Sequence, residues 1–129
     1  AMNSPSIRLG FLGFGEAAAR LAGDFHKAGI TGIVAYSRSG AKAQPGDALY
    51  EKAKSIGVTL VKTSAALAKK TDIIIALTPG KAAVPALRKI LKHLRKDHLY
   101  IDASSNSAKA MERAAARAGD AVRFVDASV

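Results

Sequence analysis

The stretch that most constrains this chain is residues 7–39, IRLGFLGFGEAAARLAGDFHKAGITGIVAYSRS, which reads strand, glycine turn, helix, strand. Ile7, Leu9, Phe11 and Leu12 form a short apolar run suited to a buried strand, and the run stops at Gly13-Phe14-Gly15-Glu16-Ala17-Ala18. Leu21, Ala22, Phe25 and Ala28 then recur at helical spacing, so a helix is expected from about Glu16. Gly29 and Gly32 end it, and Ile33 to Tyr36 supplies a second buried strand parallel to the first.

The turn has the spacing GxGxxA, and each small residue has its own mechanical task. Gly13 permits the tight turn, Gly15 lets a pyrophosphate approach the backbone, and Ala18 lets helix and strand pack closely. Gly10 adds a further position of close approach. The free N–H groups at the helix start would receive the phosphate, with Phe14, Glu16 and Ala17 beside the two glycines as candidate cofactor residues. A lone GxGxxA means little, but one that follows a strand, opens a helix and leads to a second strand points to a dinucleotide.

The end of the second strand selects which dinucleotide. An NAD site usually carries Asp or Glu there, to accept from the ribose 2′-hydroxyl; this chain has Ser37-Arg38-Ser39, with Lys42 close behind. Arg38 can meet a 2′-phosphate through its planar fork, and the two serine hydroxyls can donate to it. The expected cofactor is NADP(H). A solvated loop arginine is the alternative for Arg38.

At 129 residues the chain suits one domain with its own core. It has no cysteine, which excludes thiol chemistry and favours an intracellular, cytoplasmic setting. Residues 1–6 read as a tag remnant and tail, with neither a signal peptide nor a membrane span in view, so a soluble protein is expected. The net charge of +10 would suit a nucleic-acid binder. Its basic residues, however, are spread over helix faces and loops with few aromatics interleaved, which fits a solvated surface better and helps attract a polyanionic cofactor.

Further along, Ser39 to Gly46 is expected to be a polar loop, Asp47 to Ile56 a helix, and Val58 to Val61 a third strand. Ser64 is the expected cap of a short helix, and Asp72 to Leu77 reads as the strongest buried strand. Thr78-Pro79-Gly80 should form a loop before a helix from about Ala82 to His93. A fifth strand is expected at Leu99 to Asp102, an alanine-rich helix from about Ala108 to Ala118, and a sixth strand at Val122 to Val125.

The pattern implies an α/β, Rossmann-type doubly wound parallel sheet of about six strands with helices on both faces, spanning residues 7–129. Ligands of such sheets bind beyond the carboxyl ends of the strands, where strand order reverses. Leu77, Thr78, Pro79 and Lys81 after the fourth strand join the cofactor candidates on that ground, although a solvated lysine is the alternative for Lys81. Ser104, Ser105 and Asn106 after the fifth strand lie at the same sheet end and are candidates for a functional role; capping of the next helix is the alternative for these three. His26, His93 and His98 lack ligand spacing, so no metal site is expected.

The sequence resembles the β-hydroxyacid dehydrogenase family, which includes 6-phosphogluconate and 3-hydroxyisobutyrate dehydrogenases. GFLGFGEAAARLAGDFHKAG is similar to its opening turn and helix, YSRS to its Asn-Arg-Thr, and DIIIALTPGKAAV to its fourth strand and loop. YIDASSNSAKAMERAAARAG is similar to its Asp-x-Ser-Thr segment, which implies substrate contact for Ser104, Ser105 and Asn106 and cofactor contact for Ser104, and FVDASV to its Asp-Ala-Pro-Val. The resemblance implies hydride transfer between NADP(H) and a small β-hydroxyacid-type or 6-phosphogluconate-like substrate. It also implies a helical carboxyl-terminal domain, absent here, that carries the catalytic lysine and a homodimer contact; no residue of this chain inherits the lysine's role. Imine reductases share the amino-terminal pattern, and a non-catalytic NADP(H)-binding module is a further alternative.

Overall fold

The computed structural model describes residues 7–103 and 123–126. Six strands form one sheet in the order β3-β2-β1-β4-β5-β6, every pairing parallel. They are β1 Leu9–Leu12, β2 Ile33–Tyr36, β3 Val58–Leu60, β4 Ile73–Ala76, β5 Leu99–Asp102 and β6 Arg123–Asp126. Five helices are described: α1 Glu16–Lys27, α2 Arg38–Lys42, α3 Ala48–Ser55, α4 Ser64–Lys70 and α5 Gly80–Leu91. The expected helix at 108–118, with Ser104, Ser105 and Asn106 before it, lies outside the described residues.

Order reverses between β1 and β4, so the crevice of the fold opens at the carboxyl end of β1. All four residues of β1 are buried, because alternate positions feed two cores. Leu9 and Phe11 join Ala18, Ala19, Ala22 and Ala53 on the α1 and α3 side, whereas Leu12 joins Leu67, Leu87, Ile90 and Tyr100 on the α4 and α5 side. Gly10 is a position of close approach, as the sequence suggests: a Cβ there would stand 2.5 Å from Thr71 Cγ2 and 2.8 Å from Leu67 Cδ1. Helix α4 therefore lies directly on β1.

Helix α1 ends as its glycine predicts. Gly29 takes φ +96°, and the Ile30 and Gly29 N–H groups return to the carbonyls of Phe25 and His26, both at 3.0 Å.

Four local expectations are corrected. Residues 39–46 are not wholly loop, because Ser37 Oγ accepts from the Gly40 N–H at 2.9 Å and starts the five-residue α2. The cap of α4 is Thr63, whose Oγ1 accepts from Ala66 N–H at 3.0 Å, and Ser64 is the first helical residue. Helix α5 begins at Gly80, two residues earlier than expected, with Pro79 as its N-cap. Strand β4 is Ile73–Ala76, with Asp72 just before it: its N–H donates to Arg8 O at 2.8 Å, and its carboxylate accepts from Arg8, from the backbone N–H at 3.0 Å and from the guanidinium at 3.0 and 3.3 Å. Those bonds hold its carboxyl below the ordinary carboxylate range.

The amino end of the sheet is also closed by His98, which is fully buried. Its Nδ1 lies 2.7 Å from Arg95 N and accepts from that N–H, which leaves Nε2 to donate to the Ala68 carbonyl at 2.9 Å. The ring thus joins the α5–β5 connection to α4.

Candidate dinucleotide site

The carboxyl end of the sheet is assembled around Gly13. Its φ is +94°, its N–H donates to Tyr36 O at 2.8 Å, and a Cβ there would stand 2.6 Å from the Leu77 carbonyl oxygen. Only glycine meets both demands. Leu77 N–H in turn donates to Leu12 O at 2.9 Å, so the ends of β1, β2 and β4 are drawn together at this residue.

Gly15 is different. Its φ is −87°, which any residue adopts, and a Cβ built on it would meet nothing within 4 Å. The protein's own packing does not require glycine there, so the bare Cα leaves open space. That space lies at the start of α1, where Gly15 is the N-cap without a side-chain cap. The first helical bond is Ala19 N–H to Gly15 O at 3.0 Å, and the N–H groups of Glu16, Ala17 and Ala18 have no acceptor among the described residues. Open space beside unspent donors at a 12-residue helix start suits a pyrophosphate.

Glu16 and Ala17 are exposed on this first turn, whereas the Phe14 side chain is buried in the core beside Ala18 and Ala19, leaving its backbone at the turn. A shallow groove of about 430 Å³ begins at Glu16 and Ala17 and follows the outer face of α1 past Arg20, Leu21 and Asp24.

At the end of β2, Ser37 is half-buried while Arg38, Ser39 and Lys42 are exposed, all on or before α2. Ser37 Oγ spends a lone pair on Gly40 and keeps its proton to donate. Asp47 and Glu51, the carboxylates that follow α2, accept from the backbone N–H groups of Gln44 at 2.7 Å and Gly46 at 3.1 Å. The ion pairs among the described residues are Arg8 with Asp72 and Arg95 with Asp97, so Arg38 and Lys42 have no carboxylate partner there.

Across the crevice, Leu77 and Thr78 are half-buried, Pro79 is exposed, and Lys81 is exposed in the first turn of α5. Gly13, Gly15, Ser37 and the 77–79 loop thus meet at one strand end. The described residues hold no group of three or more His, Cys, Asp or Glu able to bind a metal, and no helix long and apolar enough to cross a membrane. Sequence reasoning passed over Lys62, whose Nζ donates to the Ala41 carbonyl at 3.1 Å. The available signal was its position just after β3, beside the end of β2.

Comparison with known proteins gives the same fold. A conserved hypothetical protein from Sinorhizobium meliloti superposes with a TM-score of 0.83 at 27% identity, over 95% of this chain and 41% of that one. The 3-hydroxyisobutyrate dehydrogenase of Mycobacterium tuberculosis, solved with L-serine, gives 0.73 at 20% identity over 93% and 39%. An imine reductase from Myxococcus stipitatus in complex with NADP+ gives 0.73 at 22% identity over 92% and 39%. The chain therefore spans about two-fifths of the length of these structures. No curated protein sequence matches it. Residues 8–106 match the family described as NADP oxidoreductase, coenzyme F420-dependent. The chain belongs to that family, as a Rossmann-type NADP-binding domain of the oxidoreductase class.

Proposed function

We propose that the domain holds NADP(H) along the carboxyl edge of its sheet, in an oxidoreductase that passes hydride between this cofactor and a small β-hydroxyacid-type, 6-phosphogluconate-like or imine substrate. The observation that carries the reading is the open space at Gly15 over the unspent N–H groups of α1. In this reading the backbone of Gly13 to Ala17 receives the pyrophosphate, and Leu77, Thr78, Pro79 and Lys81 border the opposite wall. Ser37, Arg38, Ser39 and Lys42 take the 2′-phosphate. The absence of a carboxylate partner for Arg38 among the described residues supports that assignment, since its guanidinium is available there to a phosphate. Ser104, Ser105 and Asn106 are proposed for substrate, with Ser104 also beside the cofactor, on the strength of the Asp-x-Ser-Thr resemblance.

When bound, NADP(H) supplies or accepts the hydride. The chain's own part is to fix the cofactor and orient substrate hydroxyls. Proton transfer needs a base within about 3 Å of the reacting oxygen. We assign that role, and the choice of substrate, to residues outside these 129.

Calorimetry with NADPH and NADH tests the reading. NADPH is expected to bind more tightly, and Arg38→Ala to remove about 1.5–3 kcal/mol of that preference with little effect on NADH. Equal affinities in the unmutated protein would overturn it. A second reading, favoured by the description of the matching family, has coenzyme F420 as the hydride partner. A turnover panel of hydroxyacids, cyclic imines and F420 with a chain extended past Val129 separates the substrate classes. No turnover with any of them would favour a non-catalytic binding module.

A further inference from the structure

Helix α2 is five residues long, too short to hold itself, and has glycine at its centre. Its order comes from three outside ties. Ser37 Oγ caps its start. Gly40 is buried against β3, where a Cβ would stand 3.4 Å from Leu60 Cδ2 and 2.8 Å from Ser37 Oγ. The third tie is Lys62, at its carboxyl end.

The register explains why Lys62 can reach. Ala35 pairs with Leu60, and Val61 N–H continues the ladder to Ala35 O at 2.8 Å, so Lys62 follows β3 at the level where Ser37 follows β2. From there the ammonium donates to Ala41 O at 3.1 Å, satisfying a carbonyl in the last turn of α2 and placing a cation at the favourable end of the helix. No carboxylate among the described residues competes for it.

We propose that Lys62 is a specificity-determining residue for NADP(H) over NAD(H), acting as a positioning residue: its bond to Ala41 fastens α2 and so holds Arg38, the first residue of that helix, where the guanidinium meets the 2′-phosphate. The proposal rests on the cofactor reading above. An adenine dinucleotide without the 2′-phosphate makes no use of Arg38 in this scheme, so loosening α2 penalises one cofactor selectively. Sequence proximity does not reveal the link, because Lys62 lies 21 residues from Ala41.

The experiment compares Lys62→Met, which keeps most of the apolar stem without the charge, with Lys62→Arg, which keeps a cationic donor. Each is measured for NADPH and NADH affinity by calorimetry, and for amide hydrogen exchange of the unliganded protein at Gly40, Ala41 and Ala43, whose N–H bonds define α2. Lys62→Met should weaken NADPH by about 5–10-fold, shift NADH by less than about twofold, and speed exchange at all three amides. Lys62→Arg should restore most of the preference and of the protection. An unchanged NADPH to NADH ratio in Lys62→Met would overturn the proposal while leaving the site reading intact, provided Arg38→Ala abolishes the ratio. A lost ratio with unchanged exchange would overturn the positioning role. If the unmutated protein shows no preference, the site reading and this inference fall together.

Discussion

The two ends of the sheet are built on opposite terms. At the amino end, polar groups are matched to one another: Arg8 with Asp72, and His98 between Arg95 N–H and Ala68 O. At the carboxyl end, the N–H groups of Glu16 to Ala18 and the guanidinium of Arg38 have no partner among the described residues, and Gly15 borders open space. Exposed groups such as those of Glu16, Ala17 and Arg38 are hydrated until a ligand takes the place of the water. The contrast separates the end closed by its own chain from the end at which we propose that the dinucleotide binds.

Gly13 sits on the border between these two modes, and Gly13→Ala should do the most damage. The new methyl meets the Leu77 carbonyl at 2.6 Å on a backbone of φ +94°, so thermal or chemical denaturation should show a loss of about 2–4 kcal/mol. A well-tolerated alanine would mean that the strand ends are not jammed together here. Gly15→Val should separate the terms cleanly: circular dichroism and melting stay close to those of the parent, while NADPH affinity falls by about 100-fold or more as the side chain fills the phosphate space. Normal NADPH binding by this variant would place the phosphate elsewhere.

For the self-completed end the reverse holds. His98→Phe should cost about 1–2 kcal/mol of stability, because the part-buried Arg95 N–H loses its acceptor and the Ala68 carbonyl keeps only the Thr71 N–H at 3.4 Å, yet leave the NADPH to NADH ratio unchanged. A changed ratio would blur the division between the ends. The smallest effect is expected from Asp72→Asn. Its carboxyl is held below the ordinary range by the folded-state bonds to Arg8, so that contribution is present above the unfolded pKa, near 3.8, and is lost as pH falls through the lower folded value. The variant should melt only about 1–2 °C lower at neutral pH, since the pair is half exposed, and the difference should close in acid. A gap that persists below both pKa values would show that the carboxylate charge is not its source.

The sequence made the first βαβ unit readable because its glycines, its apolar periods and its strand lengths all point to one arrangement. It also distinguished Gly13 from Gly15 by task, although only the geometry shows that one is filled by protein and the other is open. Helix α2 escaped because five residues with Ser39 and Gly40 among them are too few to hold a helix, despite the helix formers Arg38, Ala41 and Lys42; its support comes from Ser37, Leu60 and Lys62. Thr63 and Ser64 are adjacent and either can cap a helix, so the sequence alone does not choose between them; Thr63 takes the extended backbone of the cap. The structural role of His98 is not legible in the sequence, because its acceptor, Ala68 O, is 30 residues away.

The Gly13 junction has a consequence for adapting the domain to other cofactors. Through its N–H to Tyr36 O, the Leu77 carbonyl that leaves no room for a Cβ, and the Leu77 N–H to Leu12 O, it ties three strand ends into one plate. Helix α2 hangs from the edge of that plate, beyond Tyr36, whereas the 77–79 loop grows from its other side. Remodelling residues 37–42 should therefore retune the proposed 2′-phosphate contacts without moving the strand ends joined at Gly13. The two sides of the proposed site can then be engineered in separate rounds, with Gly13 left untouched as their common datum.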